Sequence, residues 1–337
     1  MDKIRIGING FGRIGRTLFR LLIDHPEIEV VAVNDLAPAA TLAHLLKYDS
    51  IHGVSNALIQ TTDNAESLLV NGRSIAVINE ASIAHITWKK HHIDILVEAT
   101  GKFKSQTALQ KHLEAGAKRV ILAAPPEDDH IPMVVMGVNE QIIKPSDLIV
   151  SNASCTTNNA APMMAVIHDL CGISEAYITT VHSYTSDQSL HDQPHKDLRR
   201  SRAAGQSIIP TTTGAAKALT KIFPDLSNAI GGCGIRVPVP NGSLTDITFN
   251  VRKETSIQEI NATFKRASLE KYHKILSYTE DPIVSVDLNN SPYSCVFDAQ
   301  MTSVIGNMVK IIGWYDNETG YSNRLIDLII YLNQNKK

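Results

Sequence analysis

The feature that most constrains the fold is Gly10-Phe11-Gly12-Arg13-Ile14-Gly15, a GxGxxG set between a strand pattern and a helix pattern. Ile4-Arg5-Ile6-Gly7-Ile8 reads as a short strand, Ile14 to Ile23 carries helical periodicity before Pro26, and Ile28 to Val33 reads as a second strand ending at Asn34-Asp35. That order is a βαβ unit, which commits the chain to a parallel sheet. The three glycines serve different ends. Gly10 permits a tight turn, Gly12 lets the backbone approach a pyrophosphate, and Gly15 allows the helix against the strand. Asp35 follows Gly15 by 20 residues at a strand end. There it would accept hydrogen bonds from an adenosine ribose and repel a 2′-phosphate, which favours NAD over NADP.

Further strand patterns at Ile93 to Ala99, Arg119 to Ala123, Met133 to Val138 and Leu148 to Val150, with helical segments such as Ser105 to Ala115 between some of them, extend the unit. The expected architecture is α/β, a Rossmann-like, doubly wound and mostly parallel sheet. At 337 residues the chain exceeds the usual single core, so a second domain is expected. Beyond Cys155 the strand candidates Ala176 to His182, Asp246 to Lys253, Ser294 to Gln300 and Met308 to Trp314 come with fewer helices between them, which fits an α+β domain. A polar segment, Ser183 to Gln206, is too long for a simple connection. Tyr321 to Asn333 ends the pattern as a helix with a broad apolar face.

Composition excludes more than it identifies. Hydrophobic content of 43%, charged content of 20% and a net charge of -2 describe a globular protein with no basic footprint for nucleic acid. The chain opens into a strand without a basic, then apolar, leader, and no apolar run is long enough to span a bilayer; the expected location is cytoplasmic, away from membranes. Cys155, Cys171, Cys233 and Cys295 lie far apart without CxxC or His-rich spacing, so reduced thiols are expected and no metal site.

Ser151-Asn152-Ala153-Ser154-Cys155-Thr156-Thr157-Asn158 places a thiol where an apolar strand, Leu148-Ile149-Val150, gives way to a helix pattern from Ala160 to Leu170. Ser154 or Thr156 could cap that helix. N–H groups at a helix start favour thiolate over thiol and could hold an oxyanion formed by attack on a carbonyl. The alternative is a small buried cysteine without chemistry. A nucleophilic thiol wants a base, and His182 stands at the end of the strand Tyr177 to Val181; His168, His191 and His195 are rivals on position alone.

Taken together, Asn9 to Arg16, Ser151 to Asn158, Thr179 to Thr185, Pro194 to Arg200, Pro210 to Ala216 and Trp314 to Glu318 resemble the glyceraldehyde-3-phosphate dehydrogenase family across essentially the whole chain. The resemblance implies that Cys155 attacks an aldehyde to give a thiohemiacetal, that His182 acts as acid and base during oxidation by NAD, and that inorganic phosphate releases the resulting thioester as 1,3-bisphosphoglycerate. It implies a substrate-phosphate site of Thr185, Asp187, Arg200 and Arg236, and an inorganic-phosphate site of Ser154, Thr156, Thr213 and Gly214. Hydroxyls, a backbone N–H and guanidinium forks are the donors that phosphate oxygens need.

For the cofactor, the resemblance implies Gly10 at the turn of the binding loop, Phe11, Gly12, Arg13 and Ile14 under the pyrophosphate, Asp35 on the ribose, Thr100 and Gly101 along the nucleotide, Asn317 on the nicotinamide carboxamide, and Tyr321 lining the same pocket. It also implies residues 1–154 as the NAD-binding domain, 155–317 as the catalytic domain, 318–337 as a helix returning to the first, and a homotetramer. Gln193 stands where leucine usually precedes Pro194, in a region linked to NAD against NADP choice. A hydrolytic relative acting on erythrose 4-phosphate and a noncatalytic NAD-binding sensor are the competing functions. The Pro210 to Ala216 and Pro194 to Asp197 blocks favour the phosphorylating enzyme over the first, and the joint presence of Cys155, His182, Arg200 and Arg236 argues against the second.

Overall fold

The computed structural model describes residues 3–62 and 66–335. They form two compact units, one of Met1–Val134, Gln141–Ala153 and Ser322–Lys337, the other of Val135–Glu140 and Ser154–Tyr321.

The first unit is built on a sheet whose strands run Ile149–Ser151, Arg119–Leu122, Ile95–Glu98, Ile4–Asn9, Ile28–Asn34, Arg73–Ile78, Ser67–Val70 and Ile59–Thr61. Every pairing as far as Arg73–Ile78 is parallel, and the last two strands turn antiparallel at the edge. The central strands are short apolar runs buried on both faces, as a covered parallel sheet requires. Helix α1 (Arg13–Leu22) buries Leu18, Phe19 and Leu22, and α2 (Ala39–Lys47) buries Leu42 and Leu46. Trp88, Ile93, Leu96, Leu109, Val120 and Leu122 share one apolar cluster, to which α3 (Gln106–Glu114) contributes Leu109.

The strand expected over Met133 to Val138 does not form. Met133 alone makes a parallel bridge, to Ser151. The Val135 N–H donates to Asn139 Oδ1 at 2.7 Å and the Gly137 N–H to Glu140 Oε2 at 2.8 Å, so side chains of the same segment take the donors a ladder would use. Val135–Glu140 belongs to the second unit. The antiparallel edge pair, Ile59–Thr61 with Ser67–Val70, is absent from the strand candidates read above.

The last helix, α7 (Thr319–Gln334), places Ser322 onward in the first unit, with Leu325, Leu328, Ile329 and Leu332 buried. Arg119 Nη1 donates to the Leu332 carbonyl at 3.5 Å. The terminal segment, with its broad apolar face, thus belongs to the unit built on the parallel sheet.

In the second unit the order is Ile209–Thr211, Ile230–Val237, Ile173–Ser183, Ser243–Val251, Met308–Tyr315, Cys295–Asp298 and Leu276–Thr279. Antiparallel pairs dominate, with parallel pairing only between Ile173–Ser183 and Ile230–Val237 and between Leu276–Thr279 and Cys295–Asp298. Helices α4 (Cys155–Cys171), α5 (Ala215–Ile222) and α6 (Ile257–Leu269) pack with it. Every residue of α4 from Thr156 to Ile167 is buried. A helix buried all round belongs to the middle of a core, and its first turn therefore sits on a rigid support.

Candidate active site

The nucleophile position is made by a helix start. Helix α4 begins at Cys155, five residues earlier than the apolar periodicity shows, because Ser154 Oγ accepts the Thr157 N–H at 3.1 Å. Ser154, not Thr156, is the N-cap. The approach to the helix bends through Ala153, whose φ of 54° is rare for a residue with a Cβ. Its N–H is held by Ser151 Oγ at 3.0 Å.

Strand register supplies the partner. On the Ile173–Ser183 strand, His182 stands directly opposite Arg236 of the neighbouring parallel strand. His182 Nε2 lies 3.4 Å from Cys155 Sγ. Its Nδ1 lies 2.7 Å from the Ser183 carbonyl and 2.6 Å from Arg236 Nη1, and Nη1 itself donates to the same carbonyl at 2.9 Å. The Ser183 carbonyl can only accept and the Arg236 guanidinium can only donate, so the two compete for Nδ1; in the tautomer that serves the carbonyl, Nε2 is the acceptor facing the thiol.

Electrostatics modify the expectation drawn from the helix start. Burial pushes the Cys155 thiol up, against the opposing pull of the Arg236 charge and the Thr156 N–H. The helix start therefore does not by itself make a thiolate in this site. Burial first, and Arg236 second, drive His182 down to about 3, so at neutral pH a neutral imidazole faces the sulfur.

Tyr315 has no role that the sequence assigns, yet it proves central. Its OH lies 2.9 Å from Thr156 Oγ1 and 3.1 Å from Thr180 Oγ1, and its ring meets the His182 ring edge-on at 5.9 Å between centroids. The hint is its place inside the Trp314 to Glu318 block, but nothing in the sequence ties it to Thr156.

A second cluster gathers the expected anion ligands. Arg200 Nη1 pairs with Asp187 Oδ2 at 2.7 Å, Thr185 Oγ1 donates to Asp187 Oδ1, and Arg200 Nε donates to Thr211 Oγ1 at 2.9 Å. Burial alone would raise the Asp187 carboxyl, but the Thr185 hydroxyl and the Arg236 and Arg200 charges outweigh it and hold it below the usual carboxylate range. Arg236 so joins the two clusters. Thr211 and Asp197, hydrogen-bonded at 2.7 Å, are supports that sequence reading missed. Thr213 accepts the Ala215 N–H at 3.2 Å, and Gly214 is the N-cap of α5 without any side chain to fill that role. Among the described residues, no hydrogen bond joins Thr213 or Gly214 to the Cys155 and His182 pair.

Asn317 Oδ1 accepts from Ser183 Oγ at 2.9 Å and Ser243 Oγ at 3.0 Å, which fixes the amide with its NH₂ as the remaining donor. Tyr321 is buried in α7.

In the first unit the glycine loop has the form a dinucleotide needs. Gly10 has φ 93°, and a Cβ at Gly15 would lie 2.2 Å from the Gly10 carbonyl, whereas one at Gly12 would meet nothing within 4 Å. The open space at Gly12 leaves the backbone there accessible to a bound anion. Helix α1 begins with no side-chain cap and no acidic residue in its first turn, which suits an anion. Asp35 Oδ2 accepts the Phe11 N–H at 2.8 Å, fixing the carboxylate beside the loop. The Arg13 side chain is engaged elsewhere, in a two-pronged pair with Asp49 at 2.5 and 3.2 Å. Its part in any pyrophosphate site is therefore that of its backbone. Thr100 donates through N and Oγ1 to Glu98 Oε1, and Gly101 follows at φ 70°.

Comparison with known families decides the affiliation. The family model for the NAD binding domain of glyceraldehyde 3-phosphate dehydrogenase matches residues 4–106, and that for its C-terminal domain matches residues 154–317. The chain belongs to the glyceraldehyde-3-phosphate dehydrogenase family. The dehydrogenase of Geobacillus stearothermophilus is 50% identical over 98% of both chains. The Streptomyces coelicolor enzyme is 50% identical over 98% of both, and enzyme 1 of Bacillus cereus is 49% identical over 97% of this chain and 98% of its own. As a member of the glyceraldehyde-3-phosphate dehydrogenase family the chain is an NAD-dependent oxidoreductase. No helix among its described residues is long and apolar enough to cross a membrane, and these residues contain no cluster fit for a metal ion.

Proposed function

We propose that this chain carries out the glycolytic and gluconeogenic oxidation of D-glyceraldehyde 3-phosphate with NAD and inorganic phosphate, giving 1,3-bisphosphoglycerate and NADH. The observation that carries the reading is Cys155 Sγ at 3.4 Å from His182 Nε2, with Arg236 against the far nitrogen of the same ring.

Cys155 Sγ attacks the aldehyde carbon, a C–S bond forms, and the thiol proton passes by way of His182 Nε2 to the carbonyl oxygen, giving a thiohemiacetal. His182 Nε2 then takes the hydroxyl proton as the carbon is oxidised to the thioester. When bound, NAD supplies the hydride acceptor for that oxidation. A phosphate oxygen attacks the thioester carbonyl, the C–S bond breaks, and the sulfur recovers its proton. A neutral imidazole suits the first two roles, because it accepts a proton without holding one at rest.

Thr185, Asp187, Arg200 and Arg236 would hold the substrate phosphate, with the two guanidinium groups as its donors and Asp187 orienting Arg200. Ser154, Thr156, Thr213 and Gly214 would hold the incoming phosphate, the last at the start of α5, where the N-cap has no side chain. Gly10, Phe11, Gly12, Arg13, Ile14, Asp35, Thr100 and Gly101 would hold the adenosine and pyrophosphate of NAD, with Asn317 and Tyr321 serving the nicotinamide. Residues 1–154 with 318–337 make the nucleotide domain in this reading and 155–317 the catalytic one. A cytoplasmic homotetramer is the form proposed for the enzyme.

The test is NADH formation from glyceraldehyde 3-phosphate and, separately, erythrose 4-phosphate, each with and without phosphate or arsenate. The expected result is phosphate-dependent turnover of the triose, abolished in Cys155→Ser and strongly slowed in His182→Asn. Turnover indifferent to phosphate would assign the hydrolytic activity instead, and NAD binding without turnover of either aldehyde would make the chain a sensor.

A further inference from the structure

The ends of three neighbouring strands in the first unit carry polar side chains that are almost wholly buried: Asn9, Asn34 and Glu98. Strand register sets them side by side, Asn9 opposite Glu98 on one flank and opposite Asn34 on the other. Burying such groups is costly unless each finds a partner, and these do. Asn9 Nδ2 donates to Glu98 Oε2 at 2.5 Å, Asn34 Nδ2 donates to Asn9 Oδ1 at 2.7 Å, and the Glu80 N–H donates to Asn34 Oδ1 at 3.0 Å.

Two further residues brace Glu98 from within the core. Trp88 Nε1 lies 3.0 Å from His112 Nδ1, and His112 Nε2 lies 3.0 Å from Glu98 Oε2, with the Trp88 and His112 side chains fully buried. The indole N–H can only donate, so His112 Nδ1 must accept, and the imidazole proton must sit on Nε2 and point at the carboxylate. One tautomer of a neutral histidine is thereby selected. The other carboxylate oxygen, Oε1, accepts the Thr100 N–H at 2.8 Å and the Thr100 hydroxyl at 2.5 Å. Four donors converge on a group that is an acceptor only when ionised, and they come from three different places: Asn9 before the glycine loop, Thr100 before Gly101, and His112 on α3.

We propose that Glu98 is a positioning residue for the dinucleotide, held in its working orientation by His112 and Trp88. Through Asn9 it fixes the strand end that enters the Gly10 turn, through Asn9 and Asn34 the strand end that presents Asp35, and through Thr100 the segment leading to Gly101. The Gly10 N–H donates to the Asn34 carbonyl at 2.8 Å and the Ala99 N–H to the Asn9 carbonyl at 2.7 Å, so a shift of these strand ends reaches the loop backbone directly. The inference rests on the reading that these loops bind NAD. It adds three residues that touch no cofactor and a mechanism by which a core histidine sets loop geometry.

The experiment is calorimetric titration of the intact protein with NAD, together with steady-state kinetics and ¹⁵N NMR of the His112 ring. Wild type is expected to bind NAD, with His112 protonated at Nε2; absence of NAD binding by wild type would sink the dinucleotide reading itself. Glu98→Gln turns one oxygen into a donor facing donors, and should weaken NAD binding by about tenfold or more while kcat at saturating NAD stays within about twofold. Wild-type affinity in that variant overturns the proposal. Should Glu98→Gln fail to fold, Trp88→Phe keeps the apolar ring and removes only the N–H. His112 is then expected to shift toward a mixture of tautomers, with NAD affinity falling by about threefold. A changed tautomer with unchanged affinity overturns the proposal, as does a wild-type His112 protonated at Nδ1.

Discussion

Arg236 and His182 face each other in register across two parallel strands, and the guanidinium Nη1 lies 2.6 Å from the imidazole Nδ1. The contact has two consequences for the catalytic pair. It resists a second proton on the ring, because a cation already stands at one edge, and it places a positive charge near the sulfur, where it opposes the effect of burial.

Cys155 reactivity should therefore depend on Arg236. Arg236→Gln removes the charge that lowers the thiol, so alkylation of Cys155 by iodoacetamide at pH 8 should slow by about fivefold or more. In wild type the rate should keep climbing above pH 9. Peptide-resolved mass spectrometry separates Cys155 from Cys171, Cys233 and Cys295, and an unchanged rate in the variant would show that Arg236 does not tune the thiol.

The pH dependence of stability has a defined sign. His182 titrates near 6.5 when free and near 3 when folded, so the unfolded chain binds the proton more readily. The contribution is fully present above about pH 6.5 and is lost by about 1.4 kcal/mol per pH unit as the pH falls toward 3. His182→Gln cannot titrate there and should lose less stability than wild type between pH 7 and pH 4.5. Urea denaturation at both values is the measurement, and equal losses would contradict the buried neutral imidazole.

Tyr315→Phe keeps the ring against His182 and removes the OH shared by Thr156 and Thr180. Two buried hydroxyls lose a partner, although Thr180 retains the Leu244 carbonyl at 3.3 Å. A loss of about 1–2 kcal/mol is expected in chemical denaturation. A variant as stable as wild type would mean that the hydroxyls re-pair without cost.

Arg200→Lys preserves charge but not the fork that spans Asp187 and Thr211. The KM for the triose phosphate should rise by about tenfold with a smaller change in kcat. A fall in kcat at constant KM would place Arg200 in the chemical step rather than in anion binding.

Two glycine substitutions separate fold from cofactor. A Cβ at Gly12 enters open space, so Gly12→Ala should keep Tm within about 2 °C while weakening NAD binding by about tenfold, since the methyl would take space proposed for the pyrophosphate. A Cβ at Gly15 meets the Gly10 carbonyl at 2.2 Å, so Gly15→Ala should lower Tm as well as affinity. Melting curves read beside NAD titrations distinguish the two, and equal melting losses would refute the open-ground reading of Gly12.

The local pattern of the sequence determined the βαβ start, the glycine loop, the Asp35 position and the helix after Cys155, because these rest on short-range rules: periodicity, turn chemistry and capping. It also placed His182 at a strand end. Where local rules compete, the sequence misled. Met133 to Val138 has the apolar content of a strand, yet Asn139 and Glu140 take its backbone donors. The apolar periodicity of α4 begins too late, since its first turn is polar and is held by Ser154.

Tertiary structure alone decided which distant residues meet. Cys155 and His182 are 27 positions apart, His182 and Arg236 are 54 apart, and Thr156 and Tyr315 are 159 apart. Pairing of strands fixes such meetings, and register between strands far apart in sequence leaves no local trace. The same holds for protonation. A helix start argues for a thiolate by its own dipole, but burial works the other way, and how deeply a group is buried is a property of the whole fold rather than of its neighbours in the chain.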